Sequence, residues 1–193
     1  MPGSPPDSAP RGGRPDAFAE LGLAPRYDID PAELERAFFE RSKELHPDRF
    51  AAAPVAERVA ALSRARALND AYALLKRDTS RAEYLLASEG VTIGDNERID
   101  PELVMALLEE REQLAEARQR GELREVERLA AAMRARRSEA LGRVKELFAH
   151  LSALSGTSGE ARAEQLAQIK RQLILLRYVA RYLEECDAAL DED

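Results

Sequence analysis

Tryptophan is absent from this sequence, cysteine occurs once, at Cys186, and histidine twice, at His46 and His150. A single thiol excludes an internal disulfide and any thiolate cluster. Two histidines beside it leave too few ligands for a structural zinc site. No stretch approaches the ~20 consecutive apolar residues that a membrane span needs. No segment is a basic domain either: residues 1–15 carry only two Arg and one Asp. Residues 16–90 hold 11 basic and 14 acidic side chains, residues 91–193 hold 16 and 21, and the whole chain carries −7. That balance argues against nucleic acid as a partner. A Gly-rich phosphate loop, a metal-ligand cluster and a nucleophile–histidine–carboxylate set are all missing, so enzymatic chemistry is not indicated. No cofactor and no metal are expected.

What is present is helix. Ala, Leu, Glu and Arg dominate a chain that is 45% hydrophobic and 34% charged, and these residues cost least in a helix. The expected class is all-α with an aliphatic core. Residues 1–15, "MPGSPPDSAPRGGRP", hold five of the ten prolines and three of the ten glycines. They read as a disordered lead-in and lack the apolar core of a secretory signal. A cytoplasmic protein is expected.

"DAFAELGL" predicts a short helix closed by Gly22. In "IDPAELERAFFERSKEL", Asp30 suits the N-cap, Pro31 the first helical position and Glu33 a capping box. Leu34, Phe38 and Leu45 then recur on one face, with Ala37 beside them. That helix, over 31–45, stops at His46-Pro47-Asp48. Proline has no N–H to donate and pushes the residue before it out of the α region. A second long helix, 55–76, follows, for which Val55, Val59, Leu62, Tyr72 and Leu75 are the expected inner face. Tyr27 and Phe38 are expected core with them. "TSRAEYLLAS" adds a short helix, whose Tyr84, Leu85 and Leu86 are expected where two domains meet.

Residues 91–100 read as a linker, polar and broken by glycine. Asp100 and Pro101 then open a helix running to about Gln119, Gly121 breaks the chain, and a second helix spans about 123–154. "SGTSG", 155–159, is a turn before a third helix over about 160–189. Short connections imply an antiparallel three-helix bundle. On its first helix Leu103, Leu107 and Leu114 form one stripe. Val104 and Leu108 form another, turned by about 100°. Only one can be buried in so small a bundle, so an apolar surface is left for a partner. The run "LILL", Leu173 to Leu176, sweeps too wide an arc to face the core entirely. Cys186, inside an acidic stretch, is expected at or near the surface.

The tripeptide at 46–48 between two antiparallel helices resembles the signature of the J domain, the module by which co-chaperones engage DnaK-type chaperones. "LGLAPRYDIDPAEL", "LHPDRF", "LNDAYALLKRDTSRAEYLL" and "LLEEREQL" together resemble the HscB-type co-chaperones of iron–sulfur cluster assembly. The resemblance runs from about residue 16 to the end of the last helix. It implies a J domain over 16–90 and, over 101–193, a three-helix bundle that binds the iron–sulfur scaffold. It also implies that His46, Pro47 and Asp48 contact the chaperone and trigger its ATP hydrolysis, with Arg36, Arg41, Lys43 and Arg49 steering the encounter. Carried over by position, the scaffold site is Val104, Met105, Leu108, Glu109, Glu112 and Leu175, the last standing where the family often has an aromatic.

The function so implied is non-enzymatic. A monomer presents an IscU-type scaffold to a DnaK/HscA-type chaperone and speeds that chaperone's ATP hydrolysis, with no membrane or nucleic-acid partner. Two alternatives remain open from the residues: a J-domain protein serving another client, and a structural helical protein assembling through its exposed stripes.

Overall fold

The computed structural model describes residues 16–94, 97, 101–154 and 159–191. Seven α-helices and a one-turn 3-10 helix form among them, with no strand. The lead-in, the Asp100 cap and most of the 155–159 turn lie outside the described residues, as does the side chain of Leu103. The chain divides between Ser88 and Glu89 into two compact units.

The first unit holds α1 (Ala17–Leu21), α2 (Pro31–Glu44), the 3-10 turn (Pro47–Phe50), α3 (Val55–Lys76) and α4 (Asp78–Ser88). The aspartate caps and the Gly22 stop form as the sequence dictates, but the expected capping box does not: the Glu33 carboxylate is turned to Arg26 instead of the Asp30 N–H. Asp16 and Asp30 accept from the N–H groups of Phe18 and Ala32. Gly22 ends α1 with φ at +69°, a left-handed conformation that costs an L side chain dearly.

Phe18, Leu21, Tyr27, Ile29, Leu34, Leu68, Leu75 and Leu86 form the buried interior. Phe38 and Tyr72 are half-buried and stack at 4.3 Å, joining α2 to α3.

Arg81 of "RAEYLL" is the one buried charge among the described residues. Its Nε donates to the Tyr27 carbonyl at 2.7 Å, and another of its nitrogens donates to the Leu75 carbonyl. A third pairs with Asp78 at 2.5 Å. The guanidinium thereby satisfies an orphan carbonyl of the last turn of α3 and ties it to the loop before α2.

Two expectations change here. Val55, Val59 and Leu62 do not face inward; they are 65%, 56% and 62% exposed. The thirteen-residue step from Leu62 to Leu75 leaves the two about 140° apart around the helix, so the two sets cannot share a face. Ala61, Leu68, Ala71 and Leu75 are the buried set. Tyr84, placed at the domain boundary by sequence, instead turns to α1. Its hydroxyl donates to Asp16 at 2.8 Å and accepts from the Ala17 N–H, and its ring lies 5.9 Å from that of Phe18.

The second unit is α5 (Pro101–Gln119), α6 (Leu123–Ala153) and α7 (Glu160–Asp191). Gln165 bonds the Leu147 carbonyl and Arg134 pairs with Asp187, so α6 and α7 run antiparallel. Gly121, at φ +66°, turns α5 into α6.

The core at one end joins Leu114 and Ala117 of α5, Val126, Leu129 and Met133 of α6, and Val179, Tyr182 and Cys186 of α7. Cys186 is fully buried, not superficial. It continues the 179–182–186 stripe, and burial pushes its thiol above the ordinary range. At the other end of α6 and α7, Val144, Leu147, Leu151, Leu166, Ile169 and Leu173 are buried.

The "LILL" run does not face the core entirely, as expected, but only one residue escapes it. Leu173, Ile174 and Leu176 are all buried and only Leu175 is half-exposed. Ile93, Gly94 and Glu97 account for Ile174. Ile93 and Gly94 line a cleft of about 200 Å³ with Ile174 and Tyr178. Glu97 pairs with Lys170 at 2.8 Å and accepts from the Gly94 N–H. The Lys170 bond holds the Glu97 carboxyl below its ordinary range.

Candidate functional site

The 46–48 tripeptide forms a single turn of 3-10 helix rather than a loose loop. His46 is its N-cap, in extended conformation with φ −60° and ψ 132°, as a residue before proline should be. Its carbonyl accepts from the Arg49 N–H at 3.0 Å, and the Asp48 N–H donates to its Nδ1 at 3.3 Å. The Asp48 carboxylate lies 3.5 Å from the same nitrogen. His46, Asp48 and Arg49 are exposed, and nothing in the interior uses their polar groups.

The basic residues do not form one patch. Lys43 lies one turn before the motif, paired with Glu40 at 3.1 Å, with its ammonium 4.2 Å from the Phe39 ring centroid. Arg36 sits two turns further back and bonds the Ala32 carbonyl of its own helix. Arg41 points another way. Its guanidinium lies against Gly22, 2.9 Å from where a Cβ would stand, so it packs α2 against the end of α1. The stripe of Arg36, Phe39 and Lys43 thus puts an aromatic between two cations.

Phe39 is a surface residue that the sequence reading left unassigned. It is 58% exposed while its neighbour Phe38 packs inward. One residue's step around a helix, about 100°, is the signal that separates them.

On α5 the division of stripes holds. Leu107 and Leu114 are buried, while Met105 is 59% and Leu108 52% exposed. Glu109 and Glu112 are exposed beside them and Val104 is half-buried. The helix is fixed to both of its neighbours, α6 and α7, beneath this surface. Arg136 pairs with Glu110 at 2.8 Å, Arg111 with Glu185 at 2.5 Å, and the Tyr182 hydroxyl donates to the Glu110 carbonyl at 2.9 Å.

Leu175 lies apart, in a groove between α6 and α7 lined by Ala140, Gly142, Arg143 and Gln172. It packs partly on the core. Among the described residues no group of side chains is arranged to hold a metal ion. No helix there is long and apolar enough to cross a membrane.

A helical hairpin displaying His-Pro-Asp, joined to an antiparallel three-helix bundle, is the architecture of a two-part J-domain protein. Residues 99–187 match the family model described as "HSCB C-terminal oligomerisation domain". A "Co-chaperone protein HscB homolog" of Azoarcus sp. (strain BH72) is 38% identical over 121 residues, 62% of this chain and 68% of that protein. One of the same name from Vibrio vulnificus (strain YJ016) is 42% identical over 101 residues, 51% of this chain and 59% of that protein.

Among solved structures, "Chaperone HscB from Vibrio cholerae" superposes with a TM-score of 0.70 at 26% identity, over 92% of this chain and 98% of the other. The human co-chaperone HscB shares the fold, with a TM-score of 0.75 at 22% identity, over 90% of this chain and 81% of that one. The chain belongs to the HscB family of co-chaperones. Its relatives are co-chaperones, not enzymes, and they imply a chaperone as partner.

Proposed function

We propose that the protein works in iron–sulfur cluster biogenesis in the cytoplasm. Its first unit stimulates ATP hydrolysis by a DnaK/HscA-type chaperone while its second delivers an IscU-type scaffold protein. The observation that carries this reading is the presence of two unspent surfaces on one chain. The 46–49 turn exposes polar groups that the fold does not need. The α5 face exposes Met105 and Leu108 beside Glu109 and Glu112, although a buried stripe on the same helix already serves the bundle.

Holding both partners at once raises the effective concentration of one for the other, so each contact can be weak. Lys43 and Arg49 would speed the first encounter in a salt-sensitive manner. The α5 face, apolar at its centre and acidic at its edge, suits a scaffold surface that is apolar with a basic rim.

Single-turnover ATPase of the chaperone tests the reading, with this protein, with the scaffold, and with both. Stimulation that is synergistic with the scaffold is expected. Stimulation indifferent to the scaffold would point to a different client, and no stimulation would remove the chaperone role.

A further inference from the structure

The cleft beside Ile174 has a build that neither proposed surface uses. It lies wholly within the second unit. Ile93, Gly94 and Glu97 line one side, and Ile174, Arg177, Tyr178 and Arg181 of α7 line the other. Lys170, Ile174, Arg177 and Arg181 recur at i, i+4, i+7 and i+11, so three cations share one face of α7. They do so in a stretch, residues 91–193, where 16 basic side chains face 21 acidic ones. Lys170 is engaged by Glu97. Arg181 is exposed, and among the described residues no carboxylate pairs with it. Arg177 and Arg181 are like charges one turn apart, which weakens a helix unless an anion lies between them.

We propose that this cleft receives the C-terminal carboxylate of a partner polypeptide that ends in an aliphatic residue. Two guanidinium groups a turn apart offer paired N–H donors suited to a carboxylate. Ile93 and Ile174 offer apolar surface to the last side chain. Capture of a chain terminus by converging N–H groups is a recurring mode of peptide recognition.

Size and charge select that ligand. The volume of about 200 Å³ falls below the roughly 300–1,000 Å³ of clefts that enclose whole small molecules. One aliphatic residue with its carboxylate is of the right order. A free amino acid is disfavoured, because its ammonium would meet mainly guanidinium charge. The Glu97 carboxylate is already engaged by Lys170 at 2.8 Å and by the Gly94 N–H at 2.9 Å. In a peptide the same nitrogen is a neutral amide. An inorganic anion would leave the isoleucines unused.

The cleft depends on the segment before α5. Glu89 pairs with Arg162 at 2.7 Å, and Glu97 with Lys170. Both partners advance by eight residues, so the segment runs along α7 in the same direction, with Ile93 between the two pins. Lifting the segment would remove one side of the cleft. A bound terminus should therefore hold it down.

Nuclear magnetic resonance on the ¹⁵N-labelled full chain tests the proposal, with N-acetyl-Ala-Leu titrated to millimolar concentration. Saturable shifts of the Ile93, Gly94 and Ile174 N–H signals are expected, with slower hydrogen exchange at Gly94. The same peptide capped as its C-terminal amide should bind about ten-fold more weakly or worse, since it lacks the charged acceptor. N-acetyl-Ala-Ser, leucine and inorganic phosphate should all be weaker than N-acetyl-Ala-Leu.

Arg181→Gln changes an exposed side chain, and far-UV circular dichroism checks that it remains helical. It should weaken the peptide by a similar factor. Ile93→Ala, on the opposite side, should weaken it without touching the guanidinium groups. Absence of saturable shifts would overturn the proposal. So would equal binding of the amide-capped peptide, or an unchanged affinity in Arg181→Gln. Phosphate that binds as tightly as the peptide would reduce the cleft to a simple anion site, and the assignment to a chain terminus would fall.

Discussion

Replacing Arg81 by methionine should unfold the first unit far more readily, and the size of the effect follows from what the guanidinium touches. Methionine keeps most of the apolar stem and removes every donor. The Tyr27 and Leu75 carbonyls then lose a charged partner, and both residues are buried, so water cannot replace it without opening the structure. An orphaned buried acceptor costs about 1–3 kcal/mol. The Leu75 carbonyl is orphaned in this way, whereas the Tyr27 carbonyl keeps the Ile29 N–H at 3.1 Å and loses a charged hydrogen bond of about 1.5–3 kcal/mol; together they come to about 2–6 kcal/mol, a large part of the roughly 5–15 kcal/mol that holds a domain together. The Asp78 pair adds little, because that carboxylate is half in solvent and such pairs contribute about 0–1 kcal/mol.

Urea unfolding followed by far-UV circular dichroism measures the difference, with tyrosine fluorescence as a second signal in a chain without tryptophan. Arg81→Met should move the midpoint strongly, Arg81→Lys by less, and Asp78→Ala least. A midpoint for Arg81→Met no lower than that for Asp78→Ala would refute the reasoning, since the carbonyls would then not depend on the guanidinium.

His46→Gln should abolish stimulation of the chaperone's ATPase while leaving the thermal melt unchanged; a collapsed melt would make the residue structural. Met105→Ala/Leu108→Ala should weaken scaffold binding by roughly 2 kcal/mol or more if these are interface anchors. Isothermal titration with the scaffold reads this, and unchanged affinity would take them out of the site. The half-buried Val104 is less suitable, because its truncation would mix stability with binding. Burial raises Tyr27 and Tyr182 to about 12 from an ordinary value of 10.0. Each contributes stability that is complete below pH ~10 and is lost as pH rises toward ~12, where the folded ring must ionise. Stability should fall in that window, and Tyr182→Phe should lessen the fall; an identical decline in the variant would remove the tyrosine from the account.

The elements were legible wherever local chemistry sets them. Asp30 with Pro31, Gly22 at a left-handed turn, and Pro47 at the end of α2 each act within a few residues, and the observed boundaries follow them. The sorting of α5 into buried Leu107 and exposed Leu108 was also legible, since it needs only the helical angle.

Where another element supplies the environment, the sequence misled. Val55, Val59 and Leu62 look like core until Ala61 is seen to be the buried residue at that level. Ile174 shares a cleft with Ile93, Gly94 and Glu97, in a segment that carries no periodic signal. Cys186 was hidden by its acidic neighbours, although its spacing from Val179 and Tyr182 is that of a buried stripe. The placement of the motif on a 3-10 turn was half legible: proline ends a helix, but only three-dimensional contact shows that another short one begins.

The bond from the Asp48 N–H to His46 Nδ1 has a chemical consequence for any partner. A neutral imidazole whose Nδ1 accepts must carry its proton on Nε2. The tautomer is thereby chosen by the backbone of the turn, before recognition begins. The side chain of His46 then presents a donor, and the carboxylate of Asp48 only acceptors. A protein docking on this turn meets a hydrogen-bond polarity already written into it, one that a freely rotating amide at position 46 would carry in either sense.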